Sequence, residues 1–196
     1  MIMRRITKTL SLLFLMLVPL YGCSSQIMMP ASPLVSINND KALVTFLMSQ
    51  RVPNIGPTFK FEFDIWDGDK FIGALTTQKY FQYVADPGEH LFVARGGNWS
   101  FVKATLQPGK KYYVFLNIPP RPFRLSHGVS LQPVKKDDKE LMAEMPSYLH
   151  DLKPVSIVTG EYDHYTKERI EEVRNEIKKC RTTDCDFSVL DAQDGI

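Results

Sequence analysis

Two short stretches constrain this chain more than any other feature. Pro87-Gly88 is followed by Glu89-His90 and the run LFVA, and Pro108-Gly109 is followed by Lys110-Lys111 and the run YYVFL. In each, a Pro-Gly pair turns the chain and a β-rich apolar run leaves the turn. Proline presets φ at the second turn position, and glycine supplies the positive φ that a type II turn needs at the third. Between the two turns, a pair of strands folds back around Gly96-Gly97-Asn98. A chain built this way is predicted to be mainly β.

The flanking sequence continues the pattern. Lys41 to Ser49 is a β-rich apolar run, broken by the loop QRVPNIGP from Gln50 to Pro57. That loop carries Arg51, a candidate partner contact whose simpler role is a solvated loop charge. From Phe59 to Trp66 the residues alternate: Phe59, Phe61, Phe63 and Ile65 share one side, and Lys60, Glu62 and Asp64 share the other. A period of two with one charged face predicts a half-buried strand. Asp67-Gly68 marks a tight hairpin turn before the return strand, Asp69 to Leu75. Asp64, Asp67 and Asp69 do not form a calcium loop, because the twelve-residue pattern with its distal glutamate is missing. Further strands are predicted over Tyr80–Ala85, Glu89–Arg95, Trp99–Leu106, Lys111–Ile118 and Val129–Val134, with Pro119 to Pro122 as a stiff break. The expected fold is an antiparallel β-sandwich or open barrel of seven to eight strands.

This arrangement is similar to a bacterial envelope lipoprotein family catalogued as domain of unknown function 2846. The resemblance rests on Asp67-Gly68, Ile72-Gly73-Ala74-Leu75, Tyr80-Phe81, Pro87-Gly88-Glu89-His90-Leu91-Phe92 and Pro108-Gly109-Lys110-Lys111-Tyr112-Tyr113-Val114. It covers roughly half the chain, Lys41 to Val134. It implies an antiparallel sandwich and transfers no catalytic residue.

The N-terminus reads as an address. Arg4, Arg5 and Lys8 precede the apolar run LSLLFLML, which is too short to span a bilayer and so reads as an export signal. Leu20, Gly22 and Cys23 resemble a bacterial lipobox, although Tyr21 is bulkier than is usual there. The resemblance implies that Cys23 is lipidated after removal of residues 1–22. Several acyl chains, at about 0.8 kcal/mol per buried methylene, then anchor the protein in a membrane. Ser24 at the following position implies the outer membrane, periplasmic face. Residues 23–39 read as a tether, in which Met28 and Met29 invite a membrane contact but fit a plain linker better. Without Arg4, Arg5 and Lys8, the 24 basic residues become 21 against 22 acidic ones, so net charge argues for no nucleic-acid partner.

After the β domain (residues 40–135), a helical extension is expected over 136–182 and a mobile tail over 183–196. A short helix from Asp137 should end at Pro146. A longer one, about Tyr165 to Lys179, carries a narrow stripe of Ile170, Val173 and Ile177 and is expected either to pack on its own domain, the simpler reading, or to contact another protein; Glu171 and Arg174 are spaced to pair. Cys180 and Cys185 are expected to form a structural disulfide, since their spacing does not fit a redox motif and no further zinc ligands are near.

No motif assigns a reaction. Glu89-His90 and Asp163-His164 are the only suggestive pairs, and His127 and His150 stand alone. Neighbouring residues on a strand face opposite ways, so Glu89 and His90 should not converge. The expectation is a non-enzymatic envelope protein that needs no cofactor or metal and binds a protein partner or peptidoglycan. Trp66, Trp99, His90 and Arg51 are its candidate contacts. The alternatives are a carbohydrate-binding module using Trp66 and Trp99 and, further off, a hydrolase of envelope polymers. An acid from a distant strand meeting His90 in a cleft would favour the hydrolase.

Overall fold

The computed structural model describes residues 27–33, 37–49, 62–119, 128–158, 167–183 and 185–196. They form a sandwich of two sheets with a helix on each outer face, and no closed barrel. The first sheet contains β1 (Met28–Pro30), β2 (Ala42–Met48), β5 (Lys79–Ala85), β8 (Lys111–Asn117), β9 (Ser130–Pro133) and β10 (Lys153–Ile157), in the order β1-β10-β5-β2-β8-β9. The second contains β3 (Phe63–Asp67), β4 (Lys70–Leu75), β6 (Gly88–Arg95), β7 (Trp99–Leu106) and β11 (Phe187–Leu190), in the order β11-β7-β6-β3-β4. The expected sandwich is therefore present with eleven strands rather than seven or eight. Its sheets are mixed rather than antiparallel, because β2 pairs with β8, β10 with β5 and β11 with β7 in parallel. Parallel partners need a long crossover, and the intervening strands and helices supply it.

The Pro-Gly turns are the corners of the sandwich. The first carries the chain from β5 in one sheet to β6 in the other, and the second carries it from β7 back to β8. Gly88 and Gly109 have φ of 126° and 73°, a region that disfavours side chains. The Asp67-Gly68 hairpin forms as expected, with Asp67 opposite Lys70. The β6–β7 hairpin turns at Gly96-Gly97-Asn98. Asn98 ties it to the first sheet, because its side chain accepts from Val129 N at 2.6 Å and donates to Val129 O at 2.9 Å.

The sheets meet through Phe46, which stacks on Phe81 and sets its ring edge-on to Phe92 across the interface, both at 5.1 Å. Such aromatic pairs contribute about 0.5–1.5 kcal/mol beyond their burial. Gly73 lies against the Phe81 ring, where a Cβ would approach within 3.1 Å.

Each outer face is covered by a helix. α1 (Lys139–Asp151) is capped by Asp138, whose side chain accepts from Leu141 N at 3.0 Å. It sets Met145, Tyr148 and Leu149 on Leu47, Tyr80 and Phe115 of the first sheet. It was expected to stop at Pro146 and instead runs through it. Proline removes one i→i−4 hydrogen bond, but Met145 before it and Tyr148 and Leu149 after it are held by the sheet. α2 (Lys167–Thr182) lies on the second sheet with Val173 and Cys180 buried and Ile170 and Ile177 against the core. Arg174 reaches Asp69 at 2.8 Å, and Arg95 reaches Glu172 at 3.3 Å. The predicted Glu171–Arg174 pair forms at 2.8 Å. This helix explains why the Phe63–Trp66 strand is not half-buried: Asp64 and Trp66, on its supposedly open side, are both buried. Among the described residues, no helix is long and apolar enough to cross a membrane.

Two segments expected outside the domain belong to it. β1, within the expected tether, pairs with β10, and Met28 is buried rather than free to meet a membrane. The expected tail forms β11 on the edge of β7, followed by a 3-10 turn at Ala192–Asp194. Leu190 is fully buried, and the Ile196 and Lys111 backbones exchange hydrogen bonds of 2.9 and 3.1 Å. Lys135 adds ion pairs to Asp191 at 3.0 Å and Asp194 at 2.9 Å. Its shortness hid this segment, since a four-residue strand is recognisable only beside the edge it completes. Cys180 and Cys185 form the expected disulfide, with Cα atoms 5.2 Å apart, and join the end of α2 to β11. If the tail is part of the fold, Leu190→Ala lowers stability by about 2–5 kcal/mol in urea unfolding, whereas a detached tail leaves the midpoint unchanged.

Candidate functional site

Among the described residues, His90 is the centre of a cluster in which a sequence-predicted residue meets groups from distant strands. The antiparallel pairing of β3 with β6 brings the end of one strand beside the start of the other, and this places the Asp67-Gly68 turn next to His90. His90 Nδ1 lies 2.7 Å from Asp67 Oδ2, and Nε2 lies 2.8 Å from the carbonyl oxygen of Asp86. Tyr83, on β5 of the opposite sheet, donates its hydroxyl to the same Asp67 oxygen at 3.0 Å. The imidazole stacks on Phe92 with centroids 5.7 Å apart. Lys41 pairs with the Asp86 carboxylate, and the Lys70 ammonium stands over the Tyr83 ring.

The chemistry of the partners decides the state of the ring. An ionised carboxylate and a carbonyl oxygen can only accept, so both ring nitrogens must donate. The geometry is that of an imidazolium. The hydrogen bond to Asp67 is the main influence raising the His90 pKa above its ordinary value; burial opposes it, and the Asp86 carbonyl assists. The side chains of His90 and Asp67 are only 12% and 14% exposed, so water screens the pair weakly.

An acid from another strand therefore does meet His90, as a hydrolase would require. The arrangement differs from a general base and its orienting acid in one respect: the nitrogen that would face a substrate is already bound to a backbone carbonyl. The cluster holds the Asp67-Gly68 hairpin, the Pro87-Gly88 corner and β5 together at one end of the sandwich. Glu89 points away, as strand alternation predicts, and accepts from Thr105 Oγ1 at 2.8 Å.

The other candidates are dispersed. Trp66 is 1% exposed on the outer face of the second sheet, and its ring meets Phe71. It offers no surface to a sugar or a partner, so its expected contact role is corrected: the covering helix was not visible from the strand alone. Trp99 is half-buried on the same face with the Arg95 guanidinium 5.7 Å from its ring. His150 is exposed at the end of α1 beside Asp151, at 3.1 Å. Cys23, Arg51, His127, Asp163 and His164 lie outside the described residues. Among the described residues, no group of three or more His, Cys, Asp or Glu side chains is placed to hold a metal ion.

Sequence reasoning missed Asp67 and the Asp86 carbonyl as partners of His90, and Tyr83 and Lys41 as the residues that hold Asp67 and the Asp86 carboxylate. Each is unremarkable in sequence, and only the strand order brings them together. Comparison with protein-family models, with curated proteins and with solved structures finds no match to this chain.

The ion pair makes stability pH-dependent. The folded-state pKa of His90 lies above the unfolded value of about 6.5, so its contribution is complete below that pH and is lost as pH rises through the folded pKa. The stability gap between wild type and His90→Gln should be largest near pH 5.5. It should shrink by up to about 1.4 kcal/mol per pH unit above pH 6.5. A gap that stays constant from pH 5.5 to 9 in urea titrations contradicts the imidazolium assignment.

Proposed function

We propose that this chain is a non-enzymatic, lipid-anchored envelope protein of a bacterium, held at the periplasmic face of the outer membrane and binding a protein partner or a cell-wall component. The observation that carries this reading is the order of basic residues, apolar run and Cys23 at the N-terminus, five residues ahead of strand β1. So short an interval leaves the domain close to whatever surface holds Cys23. The Cys180–Cys185 disulfide supports an oxidising compartment. The turn motifs support the likeness to the envelope lipoproteins carrying domain of unknown function 2846.

The form of the domain favours a protein or polymer contact made by ends and edges. α1 and α2 lie on the two broad faces, which removes a flat aromatic platform. With Trp66 buried, the carbohydrate-module reading loses one of the two residues it depended on. The engagement of both His90 nitrogens supports a structural rather than a catalytic role for that residue.

Replacing Cys23 with serine in the full chain tests the anchor. Labelled palmitate should be incorporated by the wild type and not by Cys23→Ser, and the variant should leave the detergent-extracted membrane fraction. Equal labelling of both proteins would sink the lipoprotein reading. Crosslinking in intact cells, followed by identification of what is captured, tests the binding role.

A further inference from the structure

The strand pairings give the sandwich a distinct end. β10 runs parallel to β5, and β1 runs antiparallel to β10 with Met28 opposite Ile157. The chain therefore enters β1 from the end at which β5 finishes. That end carries the Pro87-Gly88 and Pro108-Gly109 corners, because Ala42 lies opposite Ala85 and Leu43 beside Lys111. It also carries the Gly68-Asp69 turn, which Tyr83 joins through Asp67. All three turns and the entry to β1 thus share one end.

Beside the Gly68-Asp69 turn, a groove of about 470 Å³ opens between the hairpin and α2. Leu91 and Ile177 contribute apolar surface to it, and Arg174, Lys178 and Arg181 line its helix side. Positions 174, 178 and 181 are spaced by four and three, so α2 presents them along one face. Arg174 is taken by Asp69 and Glu171. Lys178 and Arg181 are exposed and have no acidic partner among the described residues.

We infer that this end of the sandwich rests on an anionic lipid surface, with a headgroup phosphate held in the groove by Lys178 and Arg181. The two cations complement the phosphate, and the apolar groove surface suits the glycerol and upper acyl carbons beside it. Orientation supplies the second argument: a chain anchored at Cys23 enters the domain at this end. The choice of a lipid over a free anion rests on the lipid-anchor reading; the groove's affinity for phosphate does not.

Every described element lies within residues 27–196, so protein beginning at Ser24, without an acyl chain, retains the whole described fold and tests the groove alone. It should co-sediment with phosphatidylcholine vesicles containing roughly 30% phosphatidylglycerol, not with phosphatidylcholine alone, and binding should weaken as salt rises. The Lys178→Glu/Arg181→Glu double variant should bind at least about tenfold more weakly, whereas Lys153→Glu, at the opposite end, should bind as wild type. Unchanged thermal unfolding of the double variant shows that its fold is intact. Failure to bind the anionic vesicles, or equal binding by the double variant, overturns the proposal. If inorganic phosphate binds at the two residues without any vesicle association, the groove serves a free anion and the lipid assignment fails. None of these results depends on Cys23, whose labelling decides the anchor separately.

Discussion

Phe46 is where the two sheets become one core. Its stacking on Phe81 within the first sheet and its edge contact with Phe92 of the second fill the space between the layers. Stacked sheets lie about 10 Å apart, a distance that large side chains from both must fill. Gly73 gives the Phe81 ring its place. The Pro-Gly corners then answer a geometric demand, since each takes the chain across that gap in a few residues and starts a strand of the other sheet in register. What looks like a repeated motif in sequence is the same crossing made in opposite directions.

The sandwich core leaves each sheet with an apolar outer face, and α1 and α2 cover these. The consequence for function is direct. A side chain on an outer strand face is available to a ligand only where the helix is absent, and Trp66 lies where α2 is present. The second sheet is completed by β11 on its edge, stapled to α2 by the disulfide. The C-terminal third is thus a working part of the domain.

His90 illustrates how an apparently chemical pair can serve architecture. Its ring bridges a carboxylate from one strand and a carbonyl from a sheet corner, and Tyr83 reaches the same carboxylate from the opposite sheet. An imidazolium bound at both nitrogens has little freedom to exchange a proton with a substrate and is well suited to hold two turns in place. The same strand order that makes this clamp also gathers the turns, the entry to β1 and the cationic groove at one end.

The fold class was legible because its signals are local. Pro-Gly and Asp-Gly pairs have few ways to turn a chain, and the apolar runs between them are too short for helices; the stripe of α2 and the cysteine pair are local too. Strand direction, pairing and burial were not legible, because they depend on which segments become neighbours. Alternation from Phe63 to Ile65 indicates one buried side, but only α2 decides that the other side is buried as well. Nothing near Leu190 marks an edge strand until β7 stands beside it, and nothing near His90 names Asp67 or the Asp86 carbonyl. By itself the sequence determined a β-sandwich turned at Pro87-Gly88 and Pro108-Gly109. Only the tertiary structure decided that those turns are crossings between sheets and that His90 ties the first of them to the Asp67-Gly68 hairpin, because a hydrogen bond across the fold requires the strand order that no local pattern encodes.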